Sequence, residues 1–276
     1  MSSPSGPPLD TELAERVLTA FLRQETRRAG FERLTLGVSG GIDSAVVAFL
    51  AARALGPEQV IAAALPWKDS NPQSLEHGRL VAEAAGIELR PFDLTASAEG
   101  LLAQLPAPTP HRIGNVLARL RMVTLYDLSM AHGALVVGTS NKTELLLGYG
   151  TLHGDLASAI NPIGDLYKSQ VRALARHLGV PQFVIDKPPS ADLVEGQTDE
   201  DDFGFSYDEA DAILLRLVDQ RRRPESVIEE GFSAETVRAI ETRIVRFQFK
   251  RTGPVIAKLS GRTIGLEFKY PRDWRT

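Results

Sequence analysis

The sequence predicts an α/β protein with a doubly wound parallel sheet. Short apolar runs alternate with longer segments of helical periodicity, and the first apolar run ends in a glycine-rich turn that leads into a helix. Ligands of such sheets bind at the carboxyl ends of the strands. We therefore expect the functional residues in the segments that directly follow the predicted strands.

The elements can be assigned in chain order. Residues 1–9 are rich in Ser, Pro and Gly, and we expect a disordered tail there. Asp10 or Thr11 can cap the first helix, in which apolar residues recur at helical spacing. Its apolar positions are Leu13, Val17, Leu18, Phe21 and Leu22.

After this helix, strands and helices alternate. The apolar runs predict strands at 34–38, 60–65, 88–92 and 134–138. The helical patterns lie near 44–55, 73–85, 113–132, 168–178, 207–220 and 233–248. We expect loops at 105–110, which contains three prolines, and at 181–205, which is rich in Pro, Gly and acidic residues. We expect residues 10–276 to form a single domain.

The composition excludes several classes of function. With 31 basic and 35 acidic residues, the net charge of −4 offers no general attraction to nucleic acid. No apolar run is long enough to span a bilayer, so we expect a cytoplasmic protein without a membrane partner. The chain has no cysteine, which excludes disulfides, thiolate metal sites and a cysteine nucleophile.

The turn after the first strand has the features of a phosphate-binding loop. Backbone N–H groups at a helix start are unpaired and favour an anion, and two glycines let the backbone approach it closely. The loop contains no lysine, and Asp43 would repel phosphate unless Mg²⁺ were bound. This pattern suggests attack at the α-phosphate of ATP with release of pyrophosphate, although a purely structural turn is the alternative. The loop residues are Gly37, Val38, Ser39, Gly40, Gly41, Ile42, Asp43 and Ser44.

A second polar segment follows the fourth predicted strand. Thr139 and Ser140 could cap the next helix and also face a nucleotide, and Glu144 could complete a Mg²⁺ site with Asp43. The alternative is a helix cap with an acid in the first turn. Lys168 begins another helix and is either a phosphate ligand or a solvated lysine.

Another segment, residues 148–155, reads Gly-Tyr-Gly-Thr-Leu-His-Gly-Asp. It is too irregular for the core, and loops of this kind usually bind ligands. Arg119, on the predicted helix 113–132, is either a ligand-binding residue or an ordinary surface charge.

Six segments together resemble the NAD synthetase family of the ATP pyrophosphatase superfamily. They are SGGIDS (39–44), GNVLARLRM (114–122), GTSNKTE (138–144), GYGTLHGD (148–155), PIGDLYK (162–168) and KPPSADL (187–193). The resemblance covers roughly residues 10–255. It implies a five-stranded parallel sheet of the adenine-nucleotide alpha-hydrolase, Rossmann-like type, in a homodimer that binds the dinucleotide at its interface.

The resemblance also implies roles for individual residues. The loop 37–44 holds the ATP phosphates, with further ATP contacts from Thr139, Lys168 and Ser190. Asp43 and Glu144 bind Mg²⁺, and Asp155 and Lys168 act in catalysis. The residues implied to bind deamido-NAD are Arg119, Leu152, Asp155, Lys250 and Arg251.

Two positions depart from the family pattern. Phe249 stands where a histidine is often found, and Leu152-His153 replaces the Lys-Tyr of many ammonia-using members. The latter form is similar to the synthetase half of glutamine-dependent members.

The implied reaction is the ATP-dependent amidation of nicotinic acid adenine dinucleotide (deamido-NAD) with ammonia. It proceeds through an acyl adenylate and gives NAD, AMP and pyrophosphate. A glutaminase domain with a catalytic cysteine is absent from this sequence, so the donor is free ammonia or ammonia from a separate glutaminase subunit.

Two other readings of the ATP loop remain. One is a different ATP pyrophosphatase, such as GMP synthetase or a tRNA-modifying ligase. The other is a nucleotide-binding regulatory module, against which the combination of Asp43, Glu144 and Lys168 argues.

Overall fold

A computed structural model describes residues 6–189 and 198–264 of the chain. Its sheet has four parallel strands in the order β3-β2-β1-β4. The strands are β1 (Arg33–Gly37), β2 (Val60–Ala64), β3 (Leu89–Pro91) and β4 (Ala134–Val136). The four predicted strands are therefore confirmed; β1 begins and ends one residue earlier than predicted, and β2, β3 and β4 are shorter than their apolar runs.

The implied count of five strands is wrong for the described residues. Beyond β4, the chain forms one isolated parallel bridge between Val137 and Ile160. The segment around Ile160 consists of turns, so the backbone pairs with the sheet edge over too short a length to form a strand.

The described part of the chain contains twelve α-helices. They are α1 (Thr11–Arg28), α2 (Ile42–Leu55), α3 (Pro72–Ala84), α4 (Thr95–Leu102), α5 (Pro110–His132), α6 (Lys142–Leu147), α7 (Lys168–Leu178), α8 (Gln182–Ile185), α9 (Asp199–Phe203), α10 (Tyr207–Leu214), α11 (Pro224–Glu229) and α12 (Ala234–Arg246). Short 3₁₀ turns occur at Pro57–Gln59 and Gln248–Lys250, and α10 continues into a π-helical turn at Leu215–Asp219.

The predicted loop at 181–205 contains two helices, α8 and α9, so this prediction is wrong in part. Helix α9 forms because Thr198 and Asp201 make a reciprocal capping box: the Thr198 hydroxyl accepts from the Asp201 N–H, and the Asp201 carboxylate accepts from the Thr198 N–H. Its acidic residues also lie in the first turn, where the helix dipole favours negative charge.

Helices cover both faces of the sheet, as a doubly wound sheet requires. Leu34 and Leu36 of β1 belong to the main core together with the largely buried helix α2, against which α1 and α7 pack. On the opposite face, α5 packs against β1 and β4, and Leu125 lies next to Gly37. A separate, smaller apolar cluster joins α6, α10 and α12.

Residues 6–9 pack against the domain, which differs from the expected disordered tail. Pro7 is buried, Gln170 donates a hydrogen bond to the Pro8 carbonyl at 3.0 Å, and Leu9 contacts the main core. Within the described ranges, every helix is too short or too polar to cross a membrane.

Candidate active site

The loop between β1 and α2 is held by its own serines. The Ser39 N–H donates to Ser44 Oγ at 3.2 Å, and that hydroxyl donates to the Gly41 carbonyl at 3.0 Å. Gly41 is the N-cap of α2 and offers no side-chain acceptor to the first turn. The N–H groups at this helix start therefore remain available to an anion.

Gly40 fixes the path of this loop against α3. Its φ of +78° lies in the left-handed region, and a Cβ at this position would stand 2.4 Å from the Ser74 carbonyl oxygen. Only glycine meets both constraints without strain. The close approach between the loop backbone and the Ser74 backbone therefore explains why position 40 is glycine.

The two predicted metal ligands converge on the predicted phosphate ligand. The Lys168 ammonium lies 2.5 Å from Asp43 Oδ2 and 3.0 Å from Glu144 Oε1. Lys168 is only 2% exposed, so the alternative of a solvated lysine is wrong. The three residues come from the starts of α2, α6 and α7, and we call them the ionic triad.

Asn141, a residue that the sequence reasoning missed, organises the triad. It is fully buried, and its side-chain amide donates to Asp43 Oδ1 at 2.8 Å. It also caps α6 by accepting from the Glu144 N–H, while Glu144 accepts from the Asn141 N–H. Asn141, rather than Thr139 or Ser140, is therefore the cap. The spacing Asn-x-x-Glu was the available signal.

Glu144 therefore takes part in the cap of α6, as the alternative prediction stated, and it also forms an ion pair with Lys168. Burial raises the pKa of Glu144 to about 7, while Lys168 opposes and Asp43 adds to this shift. Burial alone would lower the pKa of Lys168, but the charges of Asp43 and Glu144 raise it above its ordinary value. The lysine therefore stays protonated at neutral pH.

A second buried acid, Asp199, stands behind the triad. Its two carboxylate oxygens accept from the hydroxyls of Tyr149 and Tyr207, each at 2.9 Å. The ring of Tyr207 lies 4.9 Å below the Lys168 ammonium. Asp199 is only 4% exposed, although it lies in the segment predicted to be a loop. The predicted ATP contact Ser190 lies outside the described residues.

The glycine-rich loop 148–155 gathers several predicted substrate residues. Arg119 of α5 donates to the Leu152 carbonyl at 3.2 Å, and Asp155 accepts from the Thr151 N–H at 2.8 Å. Asp155 keeps solvent-exposed surface. Its packed surroundings raise the pKa of the Asp155 carboxyl, against the opposing effects of the Thr151 hydrogen bonds and of Lys250.

The two C-terminal basic residues bind main-chain carbonyls. Lys250 donates to the Gly148 and Gly150 carbonyls at 2.8 and 2.7 Å, so it fixes the start of the loop. Arg251 donates to the carbonyls at the end of α6 and is not brought to the loop. Thr139 is half-buried in the turn between β4 and α6, near the triad in sequence.

A parallel sheet whose first strand enters a glycine turn and a helix start, with convergent charged residues at the strand ends, defines a nucleotide-binding α/β class. The comparison with known families is more specific. A family model described as NAD synthase matches residues 14–254, and the chain belongs to that family.

Individual proteins agree with this assignment. An NH(3)-dependent NAD(+) synthetase from Chlorobium phaeovibrioides is 52% identical, over 97% of this chain and 96% of its own length. The solved structure of NMN synthetase from Francisella tularensis matches with 32% identity and a TM-score of 0.81, over 91% of this chain and 99% of that one. An NH3-dependent NAD synthetase from Campylobacter jejuni, in complex with the nitrate ion, matches with 33% identity and a TM-score of 0.79, over 91% and 100%.

Proposed function

We propose that the chain catalyses the ATP-dependent amidation of deamido-NAD with ammonia, giving NAD, AMP and pyrophosphate. Family membership and the names of the relatives support this reaction. The observation that carries the proposal is the Lys168 ammonium, held between two carboxylates beside an anion-binding helix start.

On the ATP side, the residues stabilise a leaving group. The nicotinate carboxylate attacks the α-phosphorus, and pyrophosphate leaves as the acyl adenylate forms. The loop 37–44 would hold the phosphates through its N–H groups, and Lys168 would neutralise charge that develops on the leaving group. Thr139 and Ser190 complete the proposed ATP contacts. A preorganised ammonium needs no reorientation during the reaction, because Asp43 and Glu144 already fix it.

The proposed Mg²⁺ site fits the donor set. Asp43 Oδ2 and Glu144 Oε1 both contact the Lys168 ammonium, so the two carboxylates lie close together beside the loop. Mg²⁺ commonly takes one or two protein carboxylates together with phosphate and water. No set of three or more His, Cys, Asp or Glu side chains in the described ranges could hold a metal ion. When bound, Mg²⁺ would neutralise phosphate charge.

On the acceptor side, the loop 148–155 would bind deamido-NAD. We propose Arg119, the Leu152 main chain and Lys250 as contacts that shape this region, with Arg251 behind it at the end of α6. Asp155 would orient ammonia and accept its proton when the amide forms. The raised pKa of Asp155 makes that carboxylate a stronger base than an ordinary aspartate.

Other features remain predictions from the sequence or from the resemblance. They are the adenine-nucleotide alpha-hydrolase, Rossmann-like type of the sheet, a single domain over residues 10–276, a homodimer with substrate at its interface, and a cytoplasmic location. A separate glutaminase subunit is a possible source of ammonia, and free ammonia is the simplest one.

The test measures AMP, pyrophosphate and pyridine nucleotide products with ATP and Mg²⁺. Ammonium and glutamine are supplied in separate reactions, and deamido-NAD is compared with nicotinate mononucleotide, because one structural relative is an NMN synthetase. We expect NAD from deamido-NAD with ammonium alone. Exclusive turnover of the mononucleotide, or no AMP with either donor, would contradict the proposal. Asp43→Asn tests the metal assignment, which fails if its Mg²⁺ dependence equals that of the wild type.

A further inference from the structure

A fully buried carboxylate on α10 connects the two helices that carry Glu144 and Lys168. Asp211 is 0% exposed, and its Oδ1 accepts from the Thr143 hydroxyl at 2.5 Å. Its Oδ2 accepts from the Ser169 N–H at 2.8 Å. Thr143 and Ser169 are the immediate neighbours of Glu144 and Lys168, so one side chain holds both helix starts.

Thr143 closes this connection from the other side. It is also fully buried, and while its hydroxyl donates to Asp211 it accepts from the Lys168 N–H at 3.0 Å. The first two N–H groups of α7 therefore bind a hydroxyl on α6 and a carboxylate on α10. These three hydrogen bonds fix the start of α7 relative to the start of α6.

Stability alone does not account for a carboxylate at this place. Asp211 has no ion-pair partner among the residues that the structure describes, and burial raises its pKa. A buried charge without a cation is unfavourable, and an apolar side chain would avoid that cost. Asp211 instead provides two hydrogen-bond acceptors with defined directions, one for the Thr143 hydroxyl and one for the Ser169 N–H.

We infer that Asp211 and Thr143 are positioning residues for the ionic triad, which set the 3.0 Å separation between Lys168 Nζ and Glu144 Oε1. Within the described ranges, no hydrogen bond or ion pair joins either side chain to a triad side chain. Both act through the backbone at the two helix starts. A displacement of about 1 Å in a preorganised site can lower a rate about 100-fold, so loss of this connection affects turnover more than folding.

This inference rests on the proposed function for its kinetic readout. The experiment compares Thr143→Val, which keeps the shape and removes the hydroxyl, with Thr143→Ser, which retains the hydroxyl. Asp211→Asn removes the charge and one acceptor oxygen. Thr26→Val is the matched control, because Thr26 is fully buried on α1 and its hydroxyl donates a hydrogen bond to the Leu22 carbonyl of the same helix at 2.6 Å.

We expect Thr143→Val and Asp211→Asn to lower kcat for AMP formation about 10- to 100-fold, with KM for ATP changed less than about threefold. Thr143→Ser should keep kcat within about threefold of the wild-type value. Thr26→Val should keep the wild-type kcat even if it lowers the urea midpoint as much as Thr143→Val does. The double variant Thr143→Val/Asp211→Asn should be no slower than the slower single variant, because both changes break the same connection. Wild-type kcat in Thr143→Val, or equal losses in Thr26→Val, would overturn the inference.

Amide hydrogen exchange separates this inference from the proposed reaction. In the free protein, the Lys168 and Ser169 N–H groups should exchange slowly, and Thr143→Val should speed the exchange of both. If the wild type makes no NAD, the proposed function fails, and the exchange rates then decide the connection by themselves. Unchanged exchange at both amides in Thr143→Val would overturn it.

Discussion

Replacing Lys168 by methionine tests whether the ionic triad is the centre of the site. The substitution keeps much of the apolar stem and removes the ammonium that lies 2.5 Å from Asp43 and 3.0 Å from Glu144. Two nearly buried carboxylates are then left without their shared cation. Removing one partner of a buried charge pair typically destabilises a protein by about 3–5 kcal/mol.

The loss should depend on pH in a definite direction. Lys168 holds the pKa of Glu144 down, although burial still raises it to about 7. Without the lysine, that pKa rises further, so Glu144 binds a proton at pH 6 and is more ionised at pH 8. Because the proton relieves the repulsion between the two carboxylates, the variant should lose more stability at pH 8 than at pH 6.

Urea unfolding at both pH values, in EDTA to exclude metal binding, measures this effect. Lys68→Met is the control, because Lys68 forms an equally short pair with Glu99 at 2.6 Å but both side chains are about half exposed. We expect a much smaller change there, since water screens the exposed pair. We also expect Lys168→Met to lower the rate of AMP formation about 10²- to 10³-fold. A stability loss in Lys168→Met no larger than in the control would refute the reasoning.

Three further changes have defined outcomes. Gly40→Ala should destabilise the protein by more than the roughly 1–2 kcal/mol of left-handed backbone strain, because the new Cβ would meet the Ser74 carbonyl. It should also weaken ATP binding. Urea unfolding measures the stability, and calorimetry measures the ATP binding. Asn141→Ala should cost more than the roughly 1 kcal/mol of an ordinary helix cap, since it also removes the hydrogen bond to a triad carboxylate. A hydrogen bond from Arg53 holds the pKa of Glu15 below its usual value. The free energy of unfolding of the wild type should therefore exceed that of Glu15→Gln by up to about 1 kcal/mol at pH 7. This difference should vanish as the pH falls below the usual glutamate range and Glu15 becomes protonated.

Matched variants identify the cause in each case. Gly30→Ala has the same positive φ with open space around its Cβ, so it isolates the strain from the contact. Asn71→Ala removes an exposed cap of α3 whose side chain accepts from the Gln73 N–H. Equal losses within either pair would contradict the corresponding reasoning, and so would a pH-independent difference for Glu15→Gln.

The sequence by itself determined the α/β class, the four strands and the loop that follows β1. These features follow from local properties, because the spacing of apolar residues, the glycine content and the helix caps are each defined within a few residues of chain. Asp43, Glu144 and Lys168 were identified as a functional set for two reasons: an acid in a phosphate loop calls for a bound cation, and the family resemblance implies metal and ATP contacts at these positions. The missing fifth strand was beyond such reasoning, since pairing at a sheet edge depends on where the turns around Ile160 place the backbone.

The tertiary structure alone decided how these residues act together. Burial decided that Lys168 is not a solvated lysine, and contacts across 98 and 125 residues of chain joined Asn141 and Lys168 to Asp43. Asp199 lies in a predicted loop and Asp211 on a predicted helix, and nothing local in the sequence marks either as buried, yet both are buried hydrogen-bond acceptors. The physical reason is that a charge acquires its pKa and its partners from the dielectric and the groups around it, which are set by packing between elements distant in sequence.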